Sequence, residues 1–125
     1  MKINKKKFIY LISPNKIYKN FFRDLRLVLE NKKISFFQLR LKNYSFKQKV
    51  SIGRKIKTIC KKNRVKFLIN DDPVLSYKLD ADGCHLGQKD MDIEEARKII
   101  GKKIIGITCH NSIILAKKAI KANAN

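Results

Sequence analysis

Short apolar runs alternate with stretches in which apolar residues recur every three or four positions, and this alternation repeats five times along the chain. Phe8 to Ile12 is a compact apolar run stopped by Ser13-Pro14-Asn15 and reads as a buried strand. Ile17, Phe21, Leu25, Val28 and Leu29 then keep helical spacing up to Asn31. Ile34 to Leu41 is the second strand. Ser45-Phe46-Lys47-Gln48 has the form of a capping box and opens a helix that buries Phe46, Val50, Ile56 and Ile59. Val65 to Ile69 is the third strand, after which Asp72 suits an N-cap and Pro73 the first position of a short helix to Leu79.

The rhythm continues to the end. Gly83 to Leu86 is a brief fourth strand, and Asp92-Ile93-Glu94-Glu95 caps a helix burying Ile93, Ala96, Ile99 and Ile100 before Gly101. Lys103 to Thr108 is the fifth strand, and Asn111 or Ser112 caps a last helix carrying Leu115, Ala116, Ala119 and Ile120. No linker or low-complexity segment interrupts these five βα units, so residues 1–125 read as one domain. Strands this apolar predict an α/β fold whose parallel sheet is covered on both faces. A doubly wound sheet and a (β/α)8 barrel both satisfy the pattern, and both bind ligands at the C-terminal edge of the strands.

Charge changes the picture less than its size suggests. The chain has 125 residues, 30 Lys+Arg against 10 Asp+Glu, and a net charge of +20. Residues 1–70 hold 21 basic and 2 acidic side chains, against 9 and 8 in residues 71–125. Such a basic half is compatible with a nucleic-acid or membrane-surface partner. Yet 24 Lys accompany 18 Ile and 10 Asn, which is a compositional bias, and the lysines are spread over helix faces without interleaved aromatics. Nucleic acid is therefore not the favoured partner. No apolar run approaches the roughly 18 residues of a membrane span. The apolar stretch after the basic Met1–Lys7 is too short for a secretory signal, so a cytoplasmic protein is expected. Three cysteines at 60, 84 and 109 fit no disulfide framework and suit a reducing compartment. Zinc at Cys84-His85 or Cys109-His110 is not expected, because adjacent residues of a strand point to opposite faces.

The strand ends carry the chemistry. They read Gln38-Leu39-Arg40-Leu41-Lys42, Asn70-Asp71-Asp72, His85-Leu86-Gly87-Gln88-Lys89-Asp90 and Thr108-Cys109-His110. A period of two puts Gln38, Arg40 and Lys42 on one strand face. Facing inward, they offer an amide and two cations to a polar heterocycle and a phosphate or pyrophosphate; facing outward, they are only a solvated surface. Asp72 and Asp92 are assigned as caps. Asp71 and Asp90 are left over, and two carboxylates facing a phosphate ligand suit hard Mg2+. His85, flanked by apolar residues, fits a hydrogen-bonded core imidazole as well as a site residue. No Gly-rich nucleotide-binding motif and no nucleophilic triad is legible.

Four segments, Gln38 to Lys42, Ile69 to Asp71, Asp82 to Asp90 and Ile105 to His110, resemble the ordered motifs of the thiamine-phosphate synthase family. The resemblance covers essentially the whole chain and implies a TIM barrel. It also implies Mg2+-dependent joining of hydroxymethylpyrimidine diphosphate to thiazole phosphate, giving thiamine phosphate and pyrophosphate. By position, Gln38, Leu39, Arg40, Leu41 and Lys42 match the segment that holds the pyrimidine and its diphosphate. Asn70 matches a further substrate contact, and Asp71 and Asp90 match the Mg2+ ligands. Thr108 stands where the family usually has a Ser, and keeps the hydroxyl. His85 lines the site, and Cys84 replaces the usual Val. Arg40, Lys42 and Thr108 are the expected catalytic set: Mg2+ and the two cations neutralise the departing pyrophosphate while the thiazole nitrogen attacks a cation-like pyrimidine methylene, and Thr108 helps bind the same substrate. Catalysis would then be mostly positioning and electrostatics.

A (β/α)8 barrel needs roughly 200 residues or more, so this sequence amounts to about five-eighths of one. The segments expected to bind the thiazole phosphate and the last phosphate loops are missing. The sequence thus predicts a partial barrel, inactive alone and prone to self-association through open sheet edges. A thiazole tautomerase relative working without Mg2+, a basic nucleic-acid-binding protein and a half-barrel scaffold are the competing readings.

Overall fold

A computed structural model describes residues 6–125. The first five residues of the basic Met1–Lys7 stretch lie outside it. Five strands alternate with five helices: β1 (Ile9–Ile12), α1 (Phe21–Glu30), β2 (Ile34–Leu39), α2 (Phe46–Lys62), β3 (Lys66–Asn70), α3 (Pro73–Leu79), β4 (Gly83–Leu86), α4 (Ile93–Ile100), β5 (Ile104–Ile107) and α5 (Ile113–Lys121). All five expected βα units are present.

The caps follow from the sequence. Ser45 and Gln48 form the reciprocal capping box at α2, and Asp72 accepts the Leu75 N–H with Pro73 behind it. Asp92 accepts the Glu95 N–H, and Ser112, of the two candidates, caps α5. Gly101 ends α4 with φ +61°, a conformation that costs a side-chain-bearing residue more. Helix α1 starts at Phe21, four residues after Ile17, and Asn20 gives it no side-chain cap.

Strand order decides between the two candidate architectures. The strands pair in chain order, β1-β2-β3-β4-β5, and every pair is parallel. A doubly wound sheet reverses direction at a switch point, and this one never does. Right-handed crossovers that always step the same way deposit all their helices on one face. Phe37, Leu39, Phe67 and Ile69 accordingly meet α1 to α3 through Leu25, Leu29, Ile56 and Leu79. Cys84, Leu86 and Ile105 meet α4 and α5 through Ile93, Ala96, Ile100 and Ala119. The fold is an arc of five βα units of the TIM-barrel type.

Several expected burials fail. Tyr10, Ile12 and Gln38 are on the face away from the helices, and β1 is an edge strand. The predicted buried strand is therefore mostly exposed, with Ile9 at 49% and Ile12 at 51%. Phe46, Val28 and Ile120 also lie open to solvent, because their helical positions fall outside the stripe that meets the sheet. Strand β2 stops at Leu39, short of the expected Leu41, and β5 stops at Ile107, short of Thr108.

Candidate functional site

Across the concave face, cross-strand register aligns Asn70 with His85 and His85 with Gly106. Just beyond them, where the strands give way to loops, stand Asp71, Asp90 and Thr108. Asn70, Asp71, His85, Asp90 and Thr108, with Arg40, line one open cavity of about 390 Å³. Six of the residues singled out from sequence, Arg40, Asn70, Asp71, His85, Asp90 and Thr108, are thereby brought together.

Five of the six are placed by identifiable bonds. The Arg40 N–H donates to Ser13 Oγ at 2.8 Å, and its guanidinium reaches Asn15 Oδ1 at 3.3 Å, so the loop after β1 holds the loop after β2. The Asp71 N–H donates to the His85 carbonyl at 2.8 Å. Asp71 takes φ +63°, a left-handed conformation that Asp tolerates better than most residues, and His110 does so at φ +50°. Such backbone is enriched at functional sites. The Gly87 N–H donates to Asp90 Oδ2 at 2.7 Å, a short charge-assisted bond. His85 Nε2 lies 2.8 Å from Thr108 Oγ1, and Gln88 Nε2 donates to the Thr108 carbonyl at 2.7 Å.

The electrostatics separate the acids from the imidazole. Burial, then the neighbouring Asp90 carboxylate, raise Asp71 above its ordinary value, while Asn70 and Arg40 pull the other way. Burial lowers His85 below its ordinary value, with the Asp90 carboxylate pulling the other way, which disfavours the charged imidazolium. The rim thus sets two adjacent carboxylates among a guanidinium, the Lys89 ammonium and neutral hydrogen-bonding groups.

The Gln38-x-Arg40-x-Lys42 segment does not act as one strand face. Gln38 is buried at 3% exposure and donates through Nε2 to the Tyr10 hydroxyl at 2.9 Å. The strand ends before Arg40, and Lys42 is exposed, tied by its N–H to the Asn15 carbonyl at 3.0 Å. Leu39 and Leu41 place their side chains in the core beneath the helices, away from the cavity. Gly87, Gln88, Lys89 and His110 also line the cavity; all four fall in the strand-end segments, where residue type alone gives them no role. Tyr10, Ser13 and Asn15 support the site from the β1 end, where nothing in the sequence pattern points to chemistry.

Cys84 and His85 do point to opposite faces. Cys84 is fully buried under the helices, and its thiol is pushed up to about 11 by burial. Cys60 is likewise pushed up to about 12. Among the described residues, no group of three or more His, Cys, Asp or Glu is arranged to hold a metal ion.

Known proteins match the chain on sequence and on structure. The family model described as thiamine monophosphate synthase matches residues 9–125. A thiamine-phosphate synthase of Pelagibacter ubique (strain HTCC1062) is 68% identical over 128 residues, covering 100% of this chain and 62% of that protein. One from Erythrobacter litoralis (strain HTCC2594) is 37% identical over 120 residues, covering 94% of this chain and 56% of that protein. The solved thiamine phosphate pyrophosphorylase from Pyrococcus furiosus superposes with a TM-score of 0.84 at 29% identity, over 94% of this chain and 56% of that one. The chain therefore spans less than two thirds of the length of these relatives. With a family model matched from the first strand to the last residue, the chain belongs to the thiamine monophosphate synthase family.

Proposed function

We propose that this chain supplies the pyrimidine-diphosphate side of a thiamine-phosphate synthase. The reaction is the transfer of a hydroxymethylpyrimidine group from its diphosphate to thiazole phosphate, with release of pyrophosphate. The observation that carries the reading is the Asp71–Asp90 carboxylate pair, set beside Arg40 in one strand-end cavity of a chain of this family. That pair also favours the synthase over a tautomerase that works without Mg2+.

The donor set fits Mg2+. Asp71, Asp90 and the Asn70 amide offer hard oxygen atoms. A cation that keeps several waters needs only one or two carboxylates, so a fuller cluster of ligands is not required. Asp71 and Asp90 would hold the ion, and when bound it neutralises charge on the diphosphate. Burial, then the neighbouring Asp90 carboxylate, raise Asp71, and a cation held between the two would offset both.

The chain's own residues do the rest. The guanidinium of Arg40, fixed at its backbone by Ser13, binds diphosphate oxygens in a planar fork. Lys42 lies exposed at the same loop and reaches the diphosphate only from solvent. Gln38, held by Tyr10, presents an oriented amide on the concave face beneath, where a pyrimidine can be read. Asn70 and the Thr108 hydroxyl bind polar substrate atoms at the rim. No base is needed, because the departing group is already an anion and the attacking nitrogen carries a free pair. Three free thiols suit a reducing compartment such as the cytoplasm. Among the described residues, no helix is long and apolar enough to cross a membrane.

The test is turnover by the intact protein with both substrates and Mg2+. Asp71→Ala and Asp90→Ala each abolish product formation on this reading. Wild-type rates from both variants would sink the metal assignment.

A further inference from the structure

Gly106 lies near the end of β5, directly opposite His85 in the parallel ladder. Its backbone does not demand glycine, since Gly101 is the only glycine with positive φ among the described residues. What singles out position 106 is the space beside it. A Cβ built there would sit 2.6 Å from His85 Nδ1, 3.4 Å from Cε1 and 3.5 Å from Cγ. All three of its nearest neighbours are atoms of one imidazole. No backbone atom stands as close, in contrast to Gly83, where the added atom would strike the Ile104 carbonyl.

The ring of His85 therefore lies across β5 in the volume that any other residue at 106 would fill. From that position its Nε2 reaches Thr108 Oγ1 at 2.8 Å, two residues further along the same strand direction. Thr108 is β-branched and has few rotamers to begin with. A hydrogen bond from the neighbouring strand narrows them further. We propose that Gly106 is a positioning residue: by lacking a side chain it seats the His85 imidazole, and through that imidazole it fixes the Thr108 hydroxyl at the rim of the cavity. The seating of the ring stands on geometry alone, and only the consequence for substrate rests on the proposed function.

The consequence is directional. A methyl group at 106 must push the ring off β5, because imidazole and methyl cannot share 2.6 Å. Thr108 then loses its partner while the β4–β5 ladder stays intact. His85→Ala removes the obstacle itself, so the two changes do not add.

The experiment compares Gly106→Ala, His85→Ala, Thr108→Val and the double variant Gly106→Ala/His85→Ala in the intact protein. Long-range proton–nitrogen NMR follows the His85 ring, with His85→Ala assigning its signals. Gly106→Ala and Thr108→Val are both expected to shift those signals, since each separates Nε2 from Oγ1. Thermal melts are expected to show Gly106→Ala less stable than wild type, and the double variant as stable as His85→Ala alone. With the pyrimidine diphosphate as substrate, KM rises about tenfold in Gly106→Ala, the scale of one lost hydrogen bond. The same change has little further effect once His85 is gone. Unmoved ring signals would overturn the proposal, as would an equal cost of Gly106→Ala with and without His85. If Gly106→Ala alone fails to fold, recovery in the double variant supports the proposal and its failure there overturns it. A displaced ring with unchanged KM supports the seating of His85 and counts against Thr108 as a substrate contact.

Discussion

Replacing Tyr10 by Phe removes one oxygen atom and leaves the ring where it is, stacked on Phe36 with centroids 5.6 Å apart. The cost falls on Gln38. That side chain is 3% exposed, and its Nε2 donates to the Tyr10 hydroxyl at 2.9 Å. Among the described residues no buried side-chain polar atom lacks a partner, so this bond is part of a fully satisfied set. Tyr10→Phe leaves a buried amide N–H without its acceptor, which destabilises by about 1–3 kcal/mol. Gln38→Leu behaves differently. It removes the amide and leaves the 40%-exposed tyrosine free to turn its hydroxyl to water, so the change stays within about 1 kcal/mol. In a Gln38→Leu background, Tyr10→Phe then costs almost nothing. Urea titrations of the four proteins read this out as shifts in midpoint at constant slope. If Tyr10→Phe matches wild type, or costs as much in the Gln38→Leu background as in the wild type, the reasoning about the buried amide is refuted. The functional corollary is a raised KM for the pyrimidine diphosphate in Tyr10→Phe, because Tyr10 orients the amide proposed to read the ring.

The surface supplies two more tests. Lys103 and Lys57 hold the Asp80 carboxyl at about 2, below its ordinary 3.8, so the ion pairs add stability that is present above 3.8 and lost as pH falls toward 2. The stability gap between wild type and Asp80→Asn should close over that range and shrink with salt; a gap unchanged at the acid end would contradict the pairing. Among the described residues the sheet has open edges at β1 and β5, and Phe8, Ile9, Ile12, Ile113, Ile114 and Ile120 are exposed. The isolated 125-residue polypeptide should self-associate as concentration rises, measured by light scattering, and a strict monomer at high micromolar concentration would contradict this.

The fold was legible because each βα unit carries its own punctuation. The Ser45–Gln48 box and the Asp72-Pro73 pair mark helix starts by local hydrogen bonding, which needs no knowledge of distant residues. Strand order is not legible in the local pattern, which doubly wound sheets and barrels share; the resemblance of the four strand-end segments to a barrel family supplies it. Burial of β1 fails for a related reason: an apolar run reports the capacity for burial, and the concave side of β1 has no covering layer among the described residues. At the site, Asp71 and Asp90 emerged once the capping acids were set aside, and both line the cavity. Periodicity alone puts Gln38, Arg40 and Lys42 on one alternating face, because it assumes that the strand continues. Here it ends at Leu39, where Ser13 takes the Arg40 N–H. The parts that Tyr10 and Gly106 play are not legible in the sequence, because what each does depends on a neighbour brought in by register.

The charge that dominates the composition plays a small part at the site. Of 30 basic residues, Arg40 and Lys89 line the cavity beside the carboxylate pair. The minority of acids supplies that pair and the caps of α3 and α4.

The central claim is that Asp71 and Asp90 bind diphosphate through Mg2+, and calorimetric titration of pyrophosphate into the intact protein tests it most directly. Binding is expected to require Mg2+ in the wild type and to be at least about tenfold weaker in Asp71→Asn, as for the loss of a charged ligand. Equal affinity with and without Mg2+, or an Asp71→Asn protein that binds like wild type, would contradict the claim.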